Sequence, residues 1–127
     1  MREIKFRGRG APRGKQWFYG DLDTHTSGVC ILDKDALHSV VPETVGQFTG
    51  LKDSEGREIY EGDIVEISPQ FSAKQGLKRK FHLSAVVRWD ERLARFVVIS
   101  KEILDSIPNS ECVSVIGNIH DNLELLK

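Results

Sequence analysis

Apolar and polar residues alternate along much of this chain with a period of two, the spacing of strands with one face buried. Ile4 and Phe6 interleave with Glu3, Lys5 and Arg7, which predicts a first strand. Gly8, Gly10, Pro12 and Gly14 then predict a mobile turn. Extended structure resumes at Trp17-Phe18-Tyr19-Gly20 and Leu22, crosses a polar tip at 23–28, and returns through Val29-Cys30-Ile31-Leu32. Asp33 either caps one helical turn through Leu37 or opens a loop, and Pro42 ends what precedes it.

The stretch from Thr44 to Val65 carries the strongest turn chemistry. Asp53-Ser54-Glu55-Gly56 has the order of a type I turn closed by a left-handed residue, with apolar residues on either side. A hairpin follows from that arrangement. Glu61-Gly62-Asp63 makes a second reversal, feeding Ile64, Val65 and Ile67 into a new strand. Two reversals so close together leave short strands, as small barrels have.

Beyond a long segment at 68–80, Leu83 to Trp89 reads as a buried strand containing Ala85, Val86, Val87 and Trp89. A polar reversal over 90–95 returns it as Phe96-Val97-Val98-Ile99. Ser100 is placed to cap a short helix whose apolar face is Ile103, Leu104 and Ile107, stopped by Pro108 and Asn109. Val113 to Ile116 is a last core strand ending at Gly117. Asp121 with Glu124 resembles a capping box for a terminal helical turn docked by Leu123 and Leu126. The pattern predicts a single, mainly β domain over 1–127. Within it, 1–45 form an N-terminal strand layer, 46–118 a small, partly open SH3-like β-barrel with one or two short helical turns, and 119–127 a tail.

Composition changes little in this picture. Hydrophobic residues at 39% and charged ones at 29% are ordinary for a folded domain of 127 residues. No run reaches the ~18 apolar residues of a membrane span, and the N-terminus lacks the apolar core of a signal peptide. A cytoplasmic location is expected, with Cys30 and Cys112 as buried free thiols.

Charge changes more. The net −1 conceals a local +5 over residues 1–15 and +4 over 68–81. Such segregation bears on partners and not on fold. Lys74, Lys78, Arg79 and Lys80 in the loop, with Arg9 and Arg13 in a basic N-terminal arm, could contact phosphates. Trp17, Tyr19, Phe71 and Phe81 lie close by in sequence, as stacking platforms for single strands do.

Other chemistry is thinner. Asp21, Asp23 and His25 would share a strand face, but no further metal ligand stands at a telling spacing. His120-Asp121 could orient an imidazole, although Asp121 suits a helix cap better. Glu58, Glu61 and Asp63 crowd the central motif, where Asp63 after Gly62 suits a backbone-bonding turn residue and Glu58 points outward by alternation. Nucleophile elbows and phosphate-cradling loops are missing from the sequence. These residues predict no catalysis, no cofactor and no metal.

Phe48-Thr49-Gly50-Leu51-Lys52-Asp53, then Gly56, then Ile59-Tyr60-Glu61-Gly62-Asp63-Ile64-Val65 resembles the signature of the YopX family. The opening Arg2 to Arg7, Trp17 with Gly20, and the stretch Ile116 to Asn122 before Glu124-Leu125-Leu126 are similar to the flanking family pattern. Leu123 departs from it, standing where relatives often carry a proline that would pre-set the helical φ. The resemblance implies a β-rich fold and an origin in bacterial phages and prophages, and it supplies no activity. The expected role is a non-enzymatic binding or self-assembling module acting through protein contacts, with itself or an unknown partner. The competing reading is a nucleic-acid-binding module using the loop 68–81 and the N-terminal arm.

Overall fold

Period-two alternation sets the architecture of the computed structural model, which describes residues 3–11, 15–24, 28–68, 82–101 and 103–126. Its regular structure is antiparallel strand, relieved by short 3-10 turns. The chain divides into two compact units, Met1–Gly50 and Leu51–Lys127.

The first unit contains β1 (Phe6–Arg9), β2 (Trp17–Asp23), β3 (Cys30–Leu32), β4 (Leu37–Ser39), a 3-10 turn at Pro42–Thr44, and most of β5 (Gly46–Lys52). These strands lie in the order β4-β3-β2-β1-β5. Arg7 pairs with Tyr19 and Arg9 with Trp17 across β1 and β2. A bridge joins Gly10 to Val40, with Val41 N–H donating to the Arg9 carbonyl at 2.8 Å. Residues 7–11 are therefore built into the sheet, and no loose arm begins there. The glycines that suggested mobility serve close approach. A Cβ on Gly8 would lie 2.9 Å from two carbons of Val40, and one on Gly10 would lie 3.0 Å from the Phe18 ring. Asp33 does cap a turn, but a hairpin turn: its Oδ1 accepts the N–H groups of Asp35 and Ala36, and Leu37 starts β4.

The second unit contains β6 (Glu58–Tyr60), β7 (Asp63–Ile67), β8 (Leu83–Asp90), β9 (Arg95–Ile99), β10 (Leu104–Ser106), a 3-10 turn at Ser110–Cys112, β11 (Val113–Asn118), and a 3-10 turn at Leu123–Leu126. Its five-stranded sheet runs β10-β9-β8-β7-β11. The strand order is thus an open sheet with β10 and β11 at its ends. Alternate residues Val65 and Ile67, Leu83, Ala85 and Val87, then Val98 and Val113 bury one face together with Ile59. Each of the valine, leucine and isoleucine side chains contributes roughly 1.5–3 kcal/mol on burial, so this layer dominates the unit's stability. A bulge between Val115 and Gly117 shifts the β11 register and leaves Ile116 exposed.

The helix expected after Ser100 is β10 instead, pairing Leu104 with Ile99 and Ser106 with Val97. Ile103 and Ile107 pack on the core, and a spacing of four fits a strand face as well as a helix face. The open side of β9 decides between them, because its backbone groups need a partner. At the tail, Asn118 Oδ1 accepts the N–H groups of His120 and Asp121, which holds the turn that precedes the 3-10 turn at Leu123–Leu126. Leu123 is exposed and does not dock the turn.

Candidate functional site

The central motif brings Asp53 and Asp63 into backbone bonds. Asp53 has a fully buried side chain, and its Oδ1 accepts the N–H groups of Glu55 and Arg57, each at 2.9 Å. Oδ2 accepts the Val115 N–H at 2.9 Å and the Arg57 Nε–H at 3.0 Å. Arg57 reaches on to the Ser114 hydroxyl, and Ser54 N–H donates to the Val113 carbonyl. Burial pushes the Asp53 carboxyl up, but donors from Val115, Arg57 and Glu55 together hold it below the ordinary carboxylate value. The 53–57 turn therefore covers the side of β11 that faces away from β7, satisfying groups an open edge would offer to another chain.

The neighbouring acids behave alike. Asp63 is buried and accepts the Tyr60 N–H at 2.7 Å. Glu58, expected outward, is half-buried and accepts the Tyr60 hydroxyl at 3.0 Å. Gly56 and Gly62 take positive φ of 82° and 92°, as the two reversals require.

The basic and aromatic residues of the first unit stack on one another. Lys5 Nζ lies 5.4 Å from the Phe48 ring centroid, and the Arg7 guanidinium lies 4.7 Å from that of Trp17. Arg7 is only 6% exposed, so its charge serves the fold. Arg9 is half-buried in β1 with its N–H donating to the Thr44 hydroxyl. Tyr19 is exposed on β2. Of the proposed phosphate contacts, Arg13, Lys74, Lys78, Arg79 and Lys80 lie outside the described residues, as do Phe71 and Phe81. Asp21 and Asp23 share a face of β2, while His25 also lies outside that set. Among the described residues no three histidine, cysteine or acidic groups converge as metal ligands. His38, passed over in the sequence, stacks on Phe18 at 3.8 Å and bonds Asp33 Oδ2 through Nε2 at 2.8 Å. Both thiols are free and buried.

Apolar and cationic residues stay exposed on the β8–β9 hairpin of the second unit. Trp89, expected in the core, is 42% exposed. It sits on the core-facing side of β8 but past the last core pair, edge-on to Phe96 at 5.0 Å. Beyond it the hairpin turns over 91–94, with Leu93 exposed at the apex and Asp90 Oδ1 accepting the N–H groups of Arg92 and Leu93. Arg88, Arg92 and Arg95 are exposed on the same hairpin. At its other end a groove of about 310 Å³ is walled by Leu83, Val86, Ile99 and Leu126, with Ser84, Ser100 and Lys101 completing the lining.

Residues 13–127 match the family model described as YopX protein. A search of curated proteins finds no match.

Proposed function

This chain belongs to the YopX family, and from that premise we propose that it is a non-enzymatic, cytoplasmic binding module of prophage origin that assembles through protein contacts. One contrast carries the reading. Asp53 and Asp63 of the family-like motif are occupied in holding turns and a strand edge, whereas Trp89, Leu93, Ile99 and Leu104 stand exposed on the second unit. A buried acceptor already bonded to several N–H donors is poorly placed for proton transfer. Exposed tryptophan and arginine are enriched among interface anchors. Membrane work through helices has no support, since no helix among the described residues is long and apolar enough to cross a bilayer.

Light scattering on the purified protein, and cross-linking of the tagged protein in its host, test this reading. A mass above one chain, or a reproducible protein neighbour, supports it; a monomer that cross-links to nothing overturns it. A salt titration with single- and double-stranded DNA tests the nucleic-acid alternative. Binding with a steep salt slope, lost in the Lys78/Arg79/Lys80 triple-alanine variant, would replace the first reading by that one.

A further inference from the structure

The chain carries its N-terminal cations and aromatics close together, and the β1–β2 ladder puts them on one face. Arg7 pairs with Tyr19 and Arg9 with Trp17. Directly paired residues of antiparallel strands project to the same side, as do alternate residues along each strand. The Arg7 guanidinium accordingly lies over the Trp17 ring, 4.7 Å from its centroid. Lys15, two positions before Trp17, is exposed. The opposite face of the ladder is packed, with Gly8 against Val40 and Gly10 against Phe18.

These residues differ in what they offer a ligand. Tyr19 is 45% exposed, while Trp17 and Arg9 are half-buried. Arg7 is buried and acts as a positioning residue, holding Trp17 by a cation–π stack. Lys5 does not count towards the patch, because it is engaged with Glu3 at 3.7 Å and with the Phe48 ring. Asp21 and Asp23 follow Tyr19 on the same side of β2. Cations therefore gather at the Trp17 end and acids at the other, which guides an anionic ligand towards the aromatic rings. Rings flanked by cations suit a chain of flat bases and phosphates. Single strands fit better than duplexes, whose base faces are already stacked within the helix.

We propose that single-stranded nucleic acid binds across the β1–β2 face, bases stacking on Tyr19 and Trp17 and phosphates meeting Arg9 and Lys15. This is a second binding surface, built from none of the residues of 68–81 or of the β8–β9 hairpin, and it does not rest on the self-assembly reading. Stacking accepts every base, so little sequence preference is expected.

Fluorescence anisotropy of a labelled single strand of mixed sequence, and of a duplex of equal length, tests this on the full chain across a salt series. Wild type is expected to bind the single strand more tightly than the duplex. Tyr19→Ala should weaken binding by about tenfold or more, whereas Tyr19→Phe, which keeps the ring, should bind like wild type. Lys15→Ala should make the salt slope shallower by about 0.7. The Lys78/Arg79/Lys80 triple-alanine variant is expected to retain single-strand binding. Matching thermal midpoints show that the variants fold. Trp17 supplies a readout that needs no change at Tyr19: in Trp89→Phe, emission from the remaining tryptophan should be quenched when the strand is added. No binding at low salt, a duplex bound as tightly, Tyr19→Ala binding like wild type, or unquenched Trp17 would each overturn the proposal. Binding lost in the triple-alanine variant but untouched by Tyr19→Ala would overturn it as well, assigning the contact to 68–81.

Discussion

Asp53 shows how one carboxylate can organise both its own turn and a distant strand. Its four donors come from Glu55, Arg57 and Val115, so it ties its own turn to β11 across sixty-two positions of sequence. The local half of this arrangement was legible in Asp53-Ser54-Glu55-Gly56. The bond to Val115 was not, because nothing in the spacing says which strand the turn will meet. Asp53→Asn should cost about 2–4 kcal/mol in denaturant unfolding, since an amide places N–H groups where only acceptors fit. The sign of the pH effect follows from the lowered folded-state pKa. Near neutrality the carboxyl is ionised in both states, and its contribution is fully present above the unfolded value. Below about pH 4 the unfolded chain takes up the proton first, and the contribution is lost as pH falls through the folded value. Wild type should therefore lose stability more steeply than Asp53→Asn over that acid range, and parallel curves would count against the role given to this carboxylate.

At the scale of elements, the strands were legible wherever alternation was strict, and the errors came where one spacing served two geometries. Ile103 and Ile107 fit helix and strand alike, and the unpaired side of β9 settled the matter. Glycine misled in the N-terminal segment because close approach and flexibility leave the same letter in a sequence. Gly8→Val tests which is at work: a mobile position would tolerate it, but the contact with Val40 predicts a loss of about 1–3 kcal/mol and a lower thermal midpoint. The β8–β9 turn offers the reverse case. Ala94 holds a φ of 52°, a left-handed conformation in which its Cβ is crowded. Ala94→Gly should relieve that strain and raise stability by about 0.5–1 kcal/mol, while leaving the exposed Trp89 and Leu93 in place. A fall in the thermal midpoint would show that the turn is not strained there.

Across the whole molecule, β-dominance was readable, and the sequence also set an N-terminal layer over 1–45 apart from 46–118. Boundaries between units usually fall in linkers rich in glycine, proline or polar residues. Here the division falls between Gly50 and Leu51, inside β5, with no shift of composition to mark it. The first part of β5 pairs with β1, and its last residues lead straight into the turn that Asp53 fixes to β11. Loss of either anchor releases one end of a continuous strand, so opening of one unit should weaken the other. The two buried thiols report on this separately, Cys30 from the first unit and Cys112 from the second. In a denaturant series, single-cysteine variants should become reactive towards a thiol reagent at one shared midpoint, and Asp53→Asn should lower it for both. Two well-separated midpoints, with only that of Cys112 moved by Asp53→Asn, would instead mean that the strand carries no coupling and that the units unfold independently.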